Sequence, residues 1–209
     1  MAGPDAALSI PLRERKKRAT RNALRAAAVQ LVASRGLAAV TVEDIAAAAE
    51  VSPRTFFNYF PTKEDAVIGW DPMLLAEMVD HVRTRPAGES APVALRETLF
   101  AVLSPFDADH EDLFERLGVM RSDPHLVAHH VARWSETERQ LAAALSERRG
   151  TDPAADHYAA LVVAATLAAT RTAMMAWCDL AGQIPLADML TSHLDVIACG
   201  LAEPAGGLA

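Results

Sequence analysis

The sequence predicts an all-α fold of about nine helices, and three observations predict it. Alanine dominates the apolar part of a chain that is 51% hydrophobic, often in runs such as Ala46–Ala49, and alanine favours helices over strands. Aromatic residues make up only 5%, and apolar residues recur at helical spacing, as in Leu24, Ala27, Ala28, Leu31 and Val32. Twelve Pro and ten Gly fall mainly between the periodic segments, where they act as breaks.

The elements follow in order. Residues 1–12 carry Gly, two Pro and no pattern, and read as a disordered arm. The first helix begins near Arg13 and stops at Gly36, a left-handed cap after Arg35. Thr41 caps a short second helix whose first turn holds Glu43 and Asp44, the charges that a helix N-terminus favours. Ser52-Pro53, a cap followed by a first-turn proline, opens a third helix that Pro61 halts near Phe60. Thr62 caps a fourth, expected to run to about Arg83 with a kink or break at Pro72. After the loop from Arg85 to Pro92 come a fifth helix, Val93 to Leu103, and a sixth, Glu111 to Arg121. Asp123-Pro124 opens a long seventh helix to Arg149, Pro153 an eighth to Ala181, and Leu186 a ninth to about Leu201.

Charge divides the chain. The net charge is −7, yet residues 1–66 carry a balance of +3 and residues 67–209 a balance of −10. Eight basic residues and one acid, Glu14, lie between Arg13 and Arg35, and all three lysines fall in the first third. A small basic part that meets polyanions, joined to a larger part that does not, fits this asymmetry; so does a solvated basic helix. The expected domains are an arm at 1–12, a small domain at 13–66 and a helical body at 67–209. No run of about 18 uncharged apolar residues predicts a membrane span, and the basic N-terminus lacks a signal-peptide core. Cys178 and Cys199 make neither a disulfide framework nor a metal knuckle. The expected compartment is the cytoplasm.

The tight connection at Glu50-Val51-Ser52 joins two short helices in the manner of a helix-turn-helix, in which the first helix braces the second against the major groove. Val42, Ile45, Ala46 and Ala49 form the bracing face, and Phe56 and Phe60, four apart, the inward face of the next helix. Arg54, Thr55 and Asn58 then point outward beside Phe57 and Tyr59. A pair of helices that merely pack would also satisfy this pattern.

The run from Thr41 to Ala66, TVEDIAAAAEVSPRTFFNYFPTKEDA, resembles the signature of the tetracycline-repressor (TetR) family, with the basic helix ending at Arg35-Gly36 at the family's spacing upstream. The resemblance covers residues 13–70. It implies a homodimeric, ligand-responsive transcription factor, most often a repressor, and no enzyme. It further implies that Thr41, Tyr59 and Lys63 contact backbone phosphates. Pro53, Arg54, Thr55, Phe57 and Asn58 would occupy the exposed recognition positions. Two residues depart from the family: Arg54 stands where Gly is frequent, and Phe57 replaces a frequent Tyr. A guanidinium takes guanine O6 and N7 together, so Arg54 is the candidate for direct base reading. Phe57, without the hydroxyl, suits a thymine methyl or a sugar. The basic extension from Arg13 to Arg21, with Arg13, Lys16 and Lys17 as its candidate contacts, is placed to reach the minor groove or backbone.

The remaining constellations are weaker. His125 and His129 have the spacing of a metal-binding pair but lack the companion ligands, so no metal is expected. No nucleophile motif, phosphate loop or dinucleotide fingerprint is present, so neither catalysis nor a cofactor is expected. Arg171 interrupts an otherwise apolar helix, and such a charge needs a partner or a solvated cavity. It is either half of an ion pair or an anchor for an anionic effector. Phe114, Met120, Trp134, Met174 and Trp177 are the candidate apolar walls, and equally candidate core. The expected partners are a pseudo-palindromic DNA operator, a small lipophilic and anionic or neutral effector, and a second copy. That copy would pack through the eighth and ninth helices along Ala160, Ala164, Ala168, Leu194, Ile197 and Leu201. The alternative is a helical ligand-binding or scaffold protein without operator specificity. A ligand wedged beside the fourth helix is the expected switch.

Overall fold

The computed structural model describes residues 12–103, 110–180 and 182–200, and every regular element among them is helical. The chain forms two compact units that divide after Trp70. The predicted arm, apart from Leu12, and Leu201 of the predicted seam lie outside the described residues.

The first unit contains α1 (Leu12–Arg35), a 3-10 turn (Leu37–Ala39), α2 (Val42–Ala48), α3 (Pro53–Phe57) and α4 (Lys63–Ile68). Its short helices are fixed at their starts by side-chain caps: Thr41, Ser52 and Thr62 each accept the backbone N–H three residues on. Leu24, Ala28, Val29, Val40, Ile45, Ala46, Phe56, Phe60, Ala66 and Val67 form the core of this unit. Packing of α1 on α2 and α4, and of α2 on α3, is what stabilises helices of five to seven residues that would not persist alone.

The expected long fourth helix is two helices. Gly69 adopts the left-handed conformation (φ 70°), and the N–H groups of Gly69 and Trp70 fold back onto the Ala66 and Asp65 carbonyls, ending α4. Asp71 then accepts the Met73 N–H at 2.8 Å, and Pro72 occupies the first turn of α5 (Pro72–Thr84). Pro72 therefore starts a helix, and Gly69 is the break, because proline lacks only an N–H that a first turn never uses.

The second unit adds α6 (Ala91–Leu103), α7 (His110–Ser122), α8 (Pro124–Arg149), α9 (His157–Asp179) and α10 (Leu186–Ala198). Helix α9 is central, packing on α6, α7, α8 and α10, while α5 packs on α6 and α8. The prediction that Pro153 opens α9 is corrected: Asp152 accepts the Ala154 N–H at 3.0 Å and makes residues 152–155 a turn, and Asp156 is the cap, accepting from Ala159 at 3.0 Å. The Thr151 hydroxyl, that N–H and Arg149 at 3.2 Å hold the Asp156 carboxyl down to about 2.

Among the described residues one helix, α9, is long and apolar enough to cross a membrane by length and composition. It carries Arg171 within it and packs against four other helices.

Candidate nucleic-acid interface

The turn between α2 and α3 is a helix C-cap of the Schellman type. The Val51 N–H donates to the Ala46 carbonyl at 2.9 Å and the Glu50 N–H to that of Ala47 at 3.1 Å. This geometry requires a left-handed residue, and Glu50 supplies it at φ 56°. Glutamate pays the Cβ–carbonyl crowding that glycine avoids. Glu50→Gly is therefore expected to stabilise the first unit by about 1 kcal/mol, since relief of αL strain outweighs glycine's extra chain entropy. Thermal denaturation checks it; a lower melting temperature would show that Glu50 makes a compensating contact.

The turn sets the exit of α3. The Ser52 hydroxyl accepts the Thr55 N–H at 3.1 Å, and the Ser52 and Thr55 hydroxyls lie 2.9 Å apart. Phe56 and Phe60 are buried with ring centroids 5.9 Å apart, which turns the opposite face of α3 to solvent. That face carries Pro53, Arg54, Phe57 and Asn58, all exposed; Phe57 is 57% accessible, with its ring edge-on to Phe56. Thr55 and Tyr59 are half-buried at its border.

Two predicted phosphate contacts have intramolecular partners. The Thr41 hydroxyl donates to Asp44 Oδ2 at 2.7 Å while accepting the Asp44 N–H at 3.1 Å, so the capping box uses its hydrogen. The Asp44 carboxyl lies below its ordinary range chiefly because of this Thr41 hydrogen bond. Lys63, half-buried, donates through Nζ to the carbonyls of Leu37 and Val40, both at 2.8 Å. On α1, Arg15, Lys16 and Arg18 are exposed and Lys17 is half-buried; the Arg13 side chain lies outside the described residues.

Sequence reasoning placed Arg21 at the end of the basic extension and missed its aromatic partners. Its guanidinium stands 5.7 Å from the Tyr59 ring centre and 5.6 Å from that of Phe60, linking α1 to the segment after α3. The signal was the helical register of α1, which places Arg21 one turn before buried Leu24 and Arg25.

In the second unit the predicted walls separate into core and surface. Trp177 (1% accessible) and Met120 are buried, and the Trp177 indole N–H donates to the Ile184 carbonyl at 2.9 Å. Phe114 is exposed, with its ring 6.4 Å from that of Trp177. Met174 and Trp134 are half-buried, the latter 5.4 Å from the His130 ring. Arg171 is exposed, so solvent meets the need that its apolar helix seemed to impose, without a buried partner. Burial first, then the guanidinium charges of Arg116 and Arg171 and the neighbouring His129, push the His130 imidazole below its ordinary range. Among the described residues no group of His, Cys, Asp or Glu is arranged to hold a metal ion.

A helix braced by its neighbour, with a basic and aromatic face turned outward and a larger helical unit behind it in sequence, defines a DNA-binding transcriptional regulator. Residues 24–67 match the family described as bacterial regulatory proteins, tetR family, and residues 89–202 match the MftR C-terminal domain. The HTH-type transcriptional regulator TcmR of Streptomyces glaucescens is 32% identical over 172 residues, spanning 79% of this chain and 76% of TcmR. The chain belongs to the TetR family of ligand-responsive, DNA-binding transcriptional regulators. Solved structures agree in fold. SmeT, the Stenotrophomonas maltophilia efflux-pump repressor solved with triclosan, superposes with a TM-score of 0.57 at 18% identity, covering 91% of this chain and 95% of SmeT. The fatty acid degradation regulator FadR of Bacillus halodurans gives 0.53 at 20% identity, over 88% and 97% of the two chains.

Proposed function

We propose that this protein is a homodimeric repressor, released from a pseudo-palindromic operator by a small lipophilic effector held in the second unit, and that it acts in the cytoplasm on the nucleoid. The outward face of α3 carries the reading: Arg54, Phe57 and Asn58 share one helical face at i, i+3 and i+4, with Pro53 at its start. Arg54 reads a guanine, Phe57 meets a thymine methyl or sugar, and Asn58 and Thr55 complete the base contacts. Tyr59 meets the backbone at the border, and Arg13, Lys16 and Lys17 neutralise phosphates beside it.

One such helix buries too little surface for tight specific binding, so two copies are needed. The apolar face of α9 supports a seam there: Leu161 is 67% accessible, and Tyr158, Ala160 and Ala168 are exposed beside it. Arg171, with His130 and Arg116 in the same electrostatic neighbourhood, offers a cation to a carboxylate or phosphate on the effector. Phe114, Trp134 and Met174 supply accessible apolar surface.

The test follows labelled operator DNA by fluorescence anisotropy while fatty acids, acyl thioesters and neutral hydrophobic compounds are added, with light scattering for mass. A particle of twice the 22.4 kDa chain is expected, with release by anionic compounds that is lost in Arg171→Ala. A monomer would overturn the dimer. Equal release from wild type and Arg171→Ala would remove Arg171 from the effector site.

A further inference from the structure

We propose that Arg21 is a positioning residue for the backbone contact of Tyr59. Its guanidinium ties α1 to the segment after α3 and holds the Tyr59 ring where the hydroxyl can meet a phosphate. The inference rests on the reading of Tyr59 as a backbone contact, and it adds the residue that aims it.

Main chain and side chain are fixed by different means at this point. The N–H groups of Tyr59 and Phe60 both donate to the Phe56 carbonyl, at 2.9 and 3.0 Å, so the backbone just past α3 has a defined path. The Phe60 ring is 1% accessible and packs on Phe56, which holds it in place. The Tyr59 ring is half-buried at the border of the reading face, where main-chain hydrogen bonds alone leave its side-chain torsions open. The Arg21 guanidinium supplies a restraint: its central carbon stands 5.7 Å from the Tyr59 ring centre and 5.6 Å from that of Phe60. Both distances lie within the reach of a cation–π contact. Arg21 is itself placed by α1, because Leu24 and Arg25, three and four residues on, are buried.

The contact also accounts for the residue type. A guanidinium is planar and more weakly hydrated than an ammonium, so it stacks on aromatic rings at a half-buried site with less loss of hydration. Contact with ring faces leaves its charge intact. The cation therefore stays beside the Tyr59 ring, within a screening length of the phosphate that takes the hydroxyl's hydrogen. Aim and charge act together at one place on the DNA backbone, at the edge of the face that carries Arg54, Phe57 and Asn58.

The experiment uses the full-length protein with Tyr59→Phe, Arg21→Met and the double variant, in a cycle of affinities for a selected operator. On the wild-type background Tyr59→Phe, which removes only the hydroxyl, should weaken binding about tenfold, the size of one hydrogen bond to a charged group. On the Arg21→Met background the same change should cost no more than about twofold, because the ring is no longer aimed. Arg21→Lys, which keeps the charge without the plane, should fall between; it stands in should the Met variant fail to fold. A readout free of DNA accompanies the cycle. The chain has two tyrosines, so labelling with 3-fluorotyrosine gives two fluorine lines, and Tyr59→Phe identifies which is which. The Tyr59 line should move in Arg21→Met while the Tyr158 line stays. Losses that multiply, with Tyr59→Phe costing about tenfold on both backgrounds, would show that Arg21 acts without Tyr59 and overturn the proposal. An unmoved Tyr59 line would overturn it as well. A Tyr59→Phe variant that binds like wild type would instead overturn the reading of Tyr59 as a backbone contact, and the fluorine line would then decide alone whether Arg21 holds the ring.

Discussion

Trp177→Ala is expected to cost about 3–5 kcal/mol, the range for removing a large aromatic from a packed core, and to be the most damaging single truncation in the second unit. Trp177 heads the fully buried side chains by size. Three local structures depend on it at once: the exposed Phe114 ring rests edge-on against it, the Ile184 carbonyl takes its N–H at 2.9 Å, and Gly182 passes close over its face. A methyl group added at Gly182 would stand 3.3 Å from the indole, and φ there is 69°, so the connection from α9 to α10 is shaped around the ring. Chemical denaturation followed by far-ultraviolet circular dichroism should show the second unit's transition at lower denaturant, with the slope retained. A cost below about 1 kcal/mol, with recovery on adding an apolar compound, would instead make Trp177 the wall of a ligand cavity.

Arg54→Ala is expected to weaken specific operator binding by about 1–3 kcal/mol and to relax preference at one base pair. Binding to random DNA should change far less, because a base contact carries sequence information and a phosphate contact does not. The side chain is exposed on a capped helix whose other face is buried, so its loss should leave the melting temperature unchanged. Competition binding on operator and scrambled duplexes measures both effects; equal loss on the two would show that Arg54 supplies charge alone.

Much of the first unit was legible because its signals are local. Thr41, Ser52 and Thr62 announce helix starts by chemistry that acts over three residues, and the Phe56–Phe60 spacing fixes which face turns inward. What escaped depended on distance or on competition between two local rules. The hydrogen bonds from Lys63 to Leu37 and Val40 join residues more than twenty apart, and no periodicity encodes them. Pro72 and Pro153 were both read from proline alone. The outcome at each was decided by a neighbour: Gly69 ended the helix before Pro72, and the Asp152 side chain captured the Ala154 N–H and turned the chain before α9. In the second unit, the aromatic and methionine residues could not be divided into core and surface from composition, since Trp177 and Phe114 touch each other and only one is buried. Arg171 looked costly because its helix is apolar; the fold leaves its side chain in water.

The central claim, that the first unit reads DNA sequence through α3, is tested most directly by selecting binding sites from a pool of random duplexes with the purified full-length protein and measuring selected against random affinity. A pseudo-palindromic consensus, bound at least about a thousandfold more tightly than random DNA at physiological salt, is the predicted result. No consensus, or equal affinity for selected and random duplexes, would contradict it.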